Sequence, residues 1–143
     1  MKDVIAVQTV IHAPIAKVWE CWTKPMHIRA WAFASDDWEA PAAENDLRLD
    51  GRFRTVMAAK DKSTSFEFAG TYTTVNENRL IEYDLDDGRH VKVEFASSPP
   101  NDVLLTETFE PESENSLEMQ RSGWQAILDN FKKYVENHTG QSR

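Results

Sequence analysis

The chain has 143 residues, a length suited to one domain spanning 1–143, and its 16 Lys and Arg against 24 Asp and Glu leave a net charge of −8. At 41% hydrophobic and 28% charged residues the composition is that of a globular protein, long enough to bury ~68% of its unfolded surface in one core. The acidic balance, with no basic stripe, argues against nucleic acid as a partner, and no stretch approaches the roughly 18 consecutive apolar residues of a membrane span.

The opening segment Val4 to Ile11 is β-rich and closes at Ala13-Pro14, which predicts a first strand. Pro14 suits a helix start, and Ile15, Val18, Trp19 and Trp22 follow as one apolar stripe. Gln8, Thr9 and His12 interrupt any leader-like apolar run, so a cytoplasmic setting is expected. The single cysteine, Cys21, lies on the apolar helix face, which fits a small core residue in a reducing compartment better than a nucleophile. Thr23-Lys24-Pro25 opens a second short helix carrying Ile28 and Trp31. Trp31, Phe33 and Trp38 then mark the loop that leaves it, outside any strong periodicity.

From Gly51 to Ser97 the pattern changes to period 2. Phe53, Thr55 and Met57 share one phase, as do Phe66, Phe68, Gly70 and Tyr72. Ile81, Tyr83 and Leu85 are followed, after an Asp87-Gly88 turn signal, by Val91, Val93 and Phe95. A further strand runs from Val103 to Phe109, ended by Pro111. These runs predict an antiparallel meander with one face packed. Leu117, Gln120, Trp124, Ile127, Leu128, Phe131, Tyr134 and Val135 then trace the face of a long helix, with Asn115 and Glu118 as its expected capping pair. The tail after Thr139 is expected to fray, and the glycosylation-like Asn137-His138-Thr139 carries no weight without secretion. Strands together and helices at the ends make the fold class α+β, with about six to seven antiparallel strands curled around the long C-terminal helix.

The chain has no G-x-G-x-x-G, Walker, H-E-x-x-H, C-x-x-C or G-x-S-x-G motif, and His12, His27, His90 and His138 have no metal-ligand spacing. No cofactor, metal or catalytic residue is therefore expected. The positive signal is aromatic: five Trp, seven Phe and three Tyr. They fill a core, or a subset lines a cavity. Gly123 inside the long helix is explained by a close backbone approach, a gap opposite Trp124, or neutral drift. Tyr72 and Tyr83 share the inward phase of their strands, and Glu107 falls between Leu105 and Phe109 in phase. Either Glu107 fixes the polar end of a ligand with a tyrosine hydroxyl, or a bulge near Asn101 turns it to water.

The spacing Ala13-Pro14, Val18-Trp19, Trp22-Thr23-Lys24-Pro25, Ile28 and Trp31, followed by DLRLDGRF, GTYTTVNENRLIEYDLDDGRHVKVEF, LTETFEPE and GWQAILDNFKKYVE, resembles the family of homologues of the heat-shock-protein-90 ATPase activator. That group lies within the START and birch-pollen-allergen (SRPBCC) superfamily, and the likeness runs from Val4 to Glu136. It implies a helix-grip fold whose cavity, between sheet and long helix, takes lipids, sterols, polyketides or phenolics. Matched by position, its wall would include Trp31, Phe33, Phe53, Met57, Phe68, Tyr72, Tyr83, Phe95, Trp124 and Leu128, to which the residue patterns add Trp38 and Glu107. Asp50-Gly51 stands where Gly-Gly is usual, and the turn at Lys60 to Ser63 lacks the usual Asp-Gly, so the bend and that hairpin's register are left open. The resemblance implies binding of a small hydrophobic molecule for storage, transport or sensing. Its alternatives are a co-chaperone contact in a stress-response setting and a cofactor-free cyclase or hydrolase, for which Glu107 or an outward-facing His90 would be the only acid or base. A homodimer formed through the edge near the first strand is compatible with this fold.

Overall fold

The computed structural model describes residues 4–98 and 100–139, with side chains to residue 137; the expectations for the tail after 139 lie outside the described residues. Strand β1 (Ile5–Ile11) is followed by helices α1 (Ile15–Thr23) and α2 (Pro25–Trp31). Strands β2 (Trp38–Asn45), β3 (Arg52–Ala59), β4 (Ser65–Asn76), β5 (Leu80–Leu85), β6 (His90–Ser98) and β7 (Asp102–Phe109) come next, and helix α3 (Leu117–Thr139) ends the fold. The strands form one antiparallel sheet in the order β1-β7-β6-β5-β4-β3-β2. This curved half-barrel of seven strands, gripping a helix of 23 residues, is the α+β arrangement expected from the pattern.

Each hairpin keeps neighbours in sequence adjacent in space, while β1 crosses to pair with β7, Ile5 opposite Phe109 and Ile11 opposite Val103. The alternation of β3, β5, β6 and β7 turns Phe53, Thr55, Met57, Ile81, Tyr83, Val91, Val93, Phe95, Leu105 and Phe109 toward α3, all buried. The β6–β7 ladder runs unshifted from Val91–Phe109 to Ser98–Asp102. No bulge intervenes near Asn101, and Glu107 lies on the inner face opposite Val93 and Val7.

The β3–β4 register is also unbroken, Arg52 opposite Thr71 through Ala58 opposite Ser65, with Lys62 supplying the left-handed turn residue at φ 68°. In the bend between β2 and β3, Asp50 takes the left-handed conformation at φ 67°, one that Asp tolerates better than most residues. Gly51 beside it is needed for space. A Cβ there would lie 2.0 Å from the Asp46 carbonyl oxygen, a backbone atom that cannot swing away. Gly51→Ala is therefore expected to lower the unfolding free energy by about 1–3 kcal/mol, read as a lower urea midpoint. An unchanged midpoint would show that the bend relaxes freely.

The structure corrects four expectations. β2 was not expected as a strand: Pro41, three alanines and a bulge between Glu39 and Ala42 erase its alternation. Trp38 begins β2 and so is not part of the loop after the second helix, whereas Trp31 ends α2, the helix on which it was expected. The α3 cap is Ser116, whose Oγ accepts the Met119 N–H at 3.1 Å. Asn115 instead donates both its N–H and its side-chain amide to the Glu112 carboxylate. Finally, the outer edge of β1 is occupied by α3: Gln125 Nε2 donates to Gln8 O at 3.2 Å, Lys132 Nζ to Val10 O at 2.7 Å, and His12 N to Glu136 Oε2 at 2.8 Å. Dimerisation through that edge would have to displace these bonds.

Candidate ligand cavity

Sheet and helix meet tightly at one end and part at the other. At the tight end, Trp22 stacks on Trp31 with ring centroids 4.8 Å apart, and Phe131 of α3 meets them edge-on at 4.9 and 4.7 Å. Phe95 packs against Trp19 and Trp22 at 5.1 and 6.2 Å. With Leu128 and Val135 fully buried alongside, this end is solid core.

Beyond Trp22 and Trp31 lies a cavity of about 300 Å³. The sheet contributes Phe53, Thr55, Met57, Phe66, Phe68, Tyr72, Ile81, Tyr83 and Glu107 to its wall; the helices contribute Trp22, Ile28, Trp31, Gln120, Trp124 and Ile127. Ala32, Glu44, Asn45, Arg89 and Glu112 complete it. Phe66 is 50% exposed, so it stands at a mouth rather than in the interior. The aromatic walls lock one another: Phe53 meets Tyr72 and Tyr83 at 5.2 and 4.7 Å, and Phe68 meets Trp124 at 5.8 Å. Trp124 itself lies flat on Phe109 at 3.7 Å. Gly123 shares the α3 face of Gln120 and Ile127, and a Cβ there would meet nothing within 4 Å. No close backbone approach requires this glycine.

Eight of the twelve nominated residues border the cavity: Trp31, Phe53, Met57, Phe68, Tyr72, Tyr83, Glu107 and Trp124. The other four do not. Phe95 and Leu128 belong to the solid end, where Trp19 and Trp22 shield Phe95. Trp38 lies outside the wall against Phe66 at 5.9 Å, and Phe33 packs on the core with its carbonyl accepting from Asn130 Nδ2 at 3.4 Å. Among residues not nominated, Trp22, Ile28 and Ile127 carried a legible signal as apolar stripe positions of helices. Glu44 and Asn45 sit on the unexpected strand β2 and carried none.

Most polar groups of the wall are engaged. Tyr72 Oη donates to Asn45 Oδ1 at 2.5 Å, and Asn45 Nδ2 donates to Thr23 O at 2.5 Å. Gln120 accepts from Glu112 N at 2.9 Å and donates to the Glu112 and Asn115 carbonyls at 3.1 and 2.8 Å. Arg89 Nε donates to Asp87 Oδ2 at 2.9 Å. Glu107 is different. It is 5% exposed, its carboxyl has no hydrogen bond within the described chain, and burial alone pushes its pKa up to about 8. Tyr83, also 5% exposed, is raised well above the usual tyrosine value by burial first and by the nearby Glu107 second.

The other reactive side chains lie elsewhere. Cys21 is fully buried in α1, its thiol pushed up to about 11 chiefly by burial, which suits packing rather than nucleophilic attack. His90 is on the outer face of the sheet, its Nδ1 2.7 Å from Asp84 and its Nε2 2.8 Å from Glu82; the Asp84 bond leads in holding its pKa up. Among the described residues, no three His, Cys, Asp or Glu side chains are grouped to hold a metal ion, and no helix is long and apolar enough to cross a membrane.

A curved antiparallel sheet gripping a C-terminal helix over such a cavity is the helix-grip architecture of the SRPBCC superfamily. The chain belongs to the family described as Activator of Hsp90 ATPase homolog 1-like protein, whose sequence profile matches residues 12–136. It is similar to the AHSA1-like protein of Aeromonas hydrophila, solved in solution, at 40% identity over 99% of this chain and 97% of that one, with a TM-score of 0.90. Chr148 of Cytophaga hutchinsonii is similar at 47% identity, 97% and 96% coverage and a TM-score of 0.80. Protein NE0264 of Nitrosomonas europaea, at 14% identity, 96% coverage of both chains and a TM-score of 0.80, shares the fold alone. No functionally curated protein matches the chain.

Proposed function

We propose that this protein is a receptor for a small hydrophobic molecule with an aromatic or similarly flat body, seated between the sheet and α3. The observation that supports this best is the aromatic-walled cavity of about 300 Å³. Its volume lies at the lower end of the ~300–1,000 Å³ typical of ligand pockets, and it has their usual character, an apolar lining with sparse polar groups. Aromatic packing elsewhere in the fold is dense, so a space left open here reflects side chains that face it without filling it. The fold commonly binds hydrophobic ligands, which agrees. A chaperone contact rests on the family's name, and no feature of the cavity favours it.

Titration with 2-acetylnaphthalene, followed by tryptophan fluorescence and by melting temperature, tests this reading. Trp22, Trp31 and Trp124 border the cavity, so saturable quenching at one site per chain is expected. At a hundredfold excess over Kd the guest should add ~2.7 kcal/mol to stability. Ile127→Trp, which places an indole in the space, should abolish binding while the protein stays folded. Quenching that never saturates, or that survives Ile127→Trp, would overturn the receptor reading.

A further inference from the structure

We propose that Glu107 and Tyr83 form a hydrogen-bonding subsite of the cavity, and that both donate to an uncharged carbonyl oxygen on an otherwise apolar guest. The proposal rests on the receptor reading above and adds the chemistry that the guest must carry.

The first ground is hydrogen-bonding capacity left open toward the cavity. Glu107 and Tyr83 are each 5% exposed and both border the cavity. Neither side chain is hydrogen-bonded within the described chain, and the open space beside both is the cavity. Their neighbours in the same wall, Tyr72 and Gln120, have partners inside the protein. With the buried Thr55 hydroxyl of the same wall, Glu107 and Tyr83 are polar groups that have no partner in the described chain, unlike Tyr72 and Gln120; of the three, Glu107 and Tyr83 carry the acidic O–H groups.

The second ground is how the pair is held. Glu107 is fixed on β7 between Val7 of β1 and Val93 of β6. Tyr83 on β5 is held edge-on by Phe53 at 4.7 Å and by Tyr72 at 6.1 Å. Both side chains come from the rigid sheet, so the subsite is preformed and binding needs little reordering.

The third ground is charge. The other ionisable groups of the cavity wall are Tyr83 of β5, Tyr72 of β4, Glu44 of β2, Arg89 of the β5–β6 turn and Glu112 ahead of α3, and Glu44 faces Arg54 at 3.6 Å. Arg89 is drawn toward Asp87 at 2.9 Å, and it is not among the causes that set the Glu107 pKa, which is burial alone. From the helices the wall receives Trp22, Ile28, Trp31, Gln120, Trp124 and Ile127, none ionisable. Arg89 is the wall's cation and its charge acts on Tyr83, but at Glu107 burial is the controlling influence, so the carboxyl is a neutral O–H donor near the Tyr83 hydroxyl. Two donors suit an acceptor. A guest carboxylate would compete with Asp87 for Arg89, which Asp87 already holds at 2.9 Å, and a guest ammonium would have to displace the Glu107 proton before the carboxyl could pair with it, costs that a ketone does not meet.

The test uses four naphthalenes of one shape that differ in a single substituent: 2-acetylnaphthalene, 2-isopropylnaphthalene, 2-naphthoate and 1-(2-naphthyl)ethylammonium. Each is titrated calorimetrically at pH 6.5 into the wild-type chain and into Glu107→Leu, Glu107→Gln and Tyr83→Phe. The ketone is expected to bind more tightly than the naphthoate and the ammonium. Its affinity relative to the isopropyl compound should drop about tenfold in Glu107→Leu and severalfold in Tyr83→Phe, as loss of a hydrogen bond of ordinary strength requires. Glu107→Gln, an uncharged donor of similar shape, should restore much of the ratio that Glu107→Leu loses. A ratio unmoved in both Glu107→Leu and Tyr83→Phe would overturn the subsite while leaving the receptor reading intact, as would tighter binding of the ammonium or the naphthoate. Failure of all four compounds to bind would overturn both.

Discussion

Replacing Phe131 by Ala is expected to lower the unfolding free energy by about 3–5 kcal/mol, read from urea denaturation. Phe131 is fully buried, and it joins α3 to both Trp22 and Trp31 at ring distances under 5 Å. The surrounding rings are rigid and already interlocked, so they have little freedom to collapse into the hole. Phe66→Ala is the informative partner. Phe66 is 50% exposed at the cavity mouth, and its removal should cost under about 1 kcal/mol of stability while weakening the grip on a naphthalene guest. Equal destabilisation by the two changes would mean that the sheet–helix space is uniformly packed and that the solid and hollow ends are not distinct.

The second large effect is a pH dependence. The Glu107 carboxyl keeps its proton to about pH 8 in the folded chain, against about 4.5 as a free side chain. Folding therefore takes up a proton between those values. The stability contributed is complete below about pH 4.5 and is lost as pH rises toward about 8. At about 1.4 kcal/mol per pH unit of full slope, the loss across that window is on the order of a few kcal/mol. Glu107→Leu removes the titrating group and fills the same inward position with apolar atoms. Its unfolding free energy, measured from pH 5 to pH 9, should lie progressively above that of the wild type as pH rises. Parallel curves for the two proteins would show that the carboxyl is solvated in the cavity and titrates as it does in water.

Most of the sheet is legible in the sequence because a half-buried strand must alternate. From Phe53 to Phe109 the alternation marks which side chains turn inward, and with the ladder unshifted near Asn101 it marks Glu107 among them. β2 escapes because Pro41 and the bulge after Glu39 break the period, and alanine is a weak marker of either face. For the cavity, phase places a residue on a side but not at an end. Phe95 and Met57 share the inner face, yet Phe95 lies under Trp19 and Trp22 whereas Met57 borders open space. That difference depends on how far each helix side chain reaches across the sheet, a property of three-dimensional packing that no linear spacing encodes. Trp22 and Ile127 are helix-stripe residues of the same kind, legible as apolar but not as bordering a void.

An open sheet has two raw backbone rims on which further strands can be templated. In this chain both are spoiled. One is stapled by Gln125, Lys132 and Glu136 reaching down from the final helix, and the other is interrupted by a proline and a bulge. A neighbouring molecule finds no continuous ladder to prolong, so the fold carries a built-in brake on fibrillar growth. Two copies that merged their sheets would first have to break the helix bonds at one rim or straighten the bulge at the other.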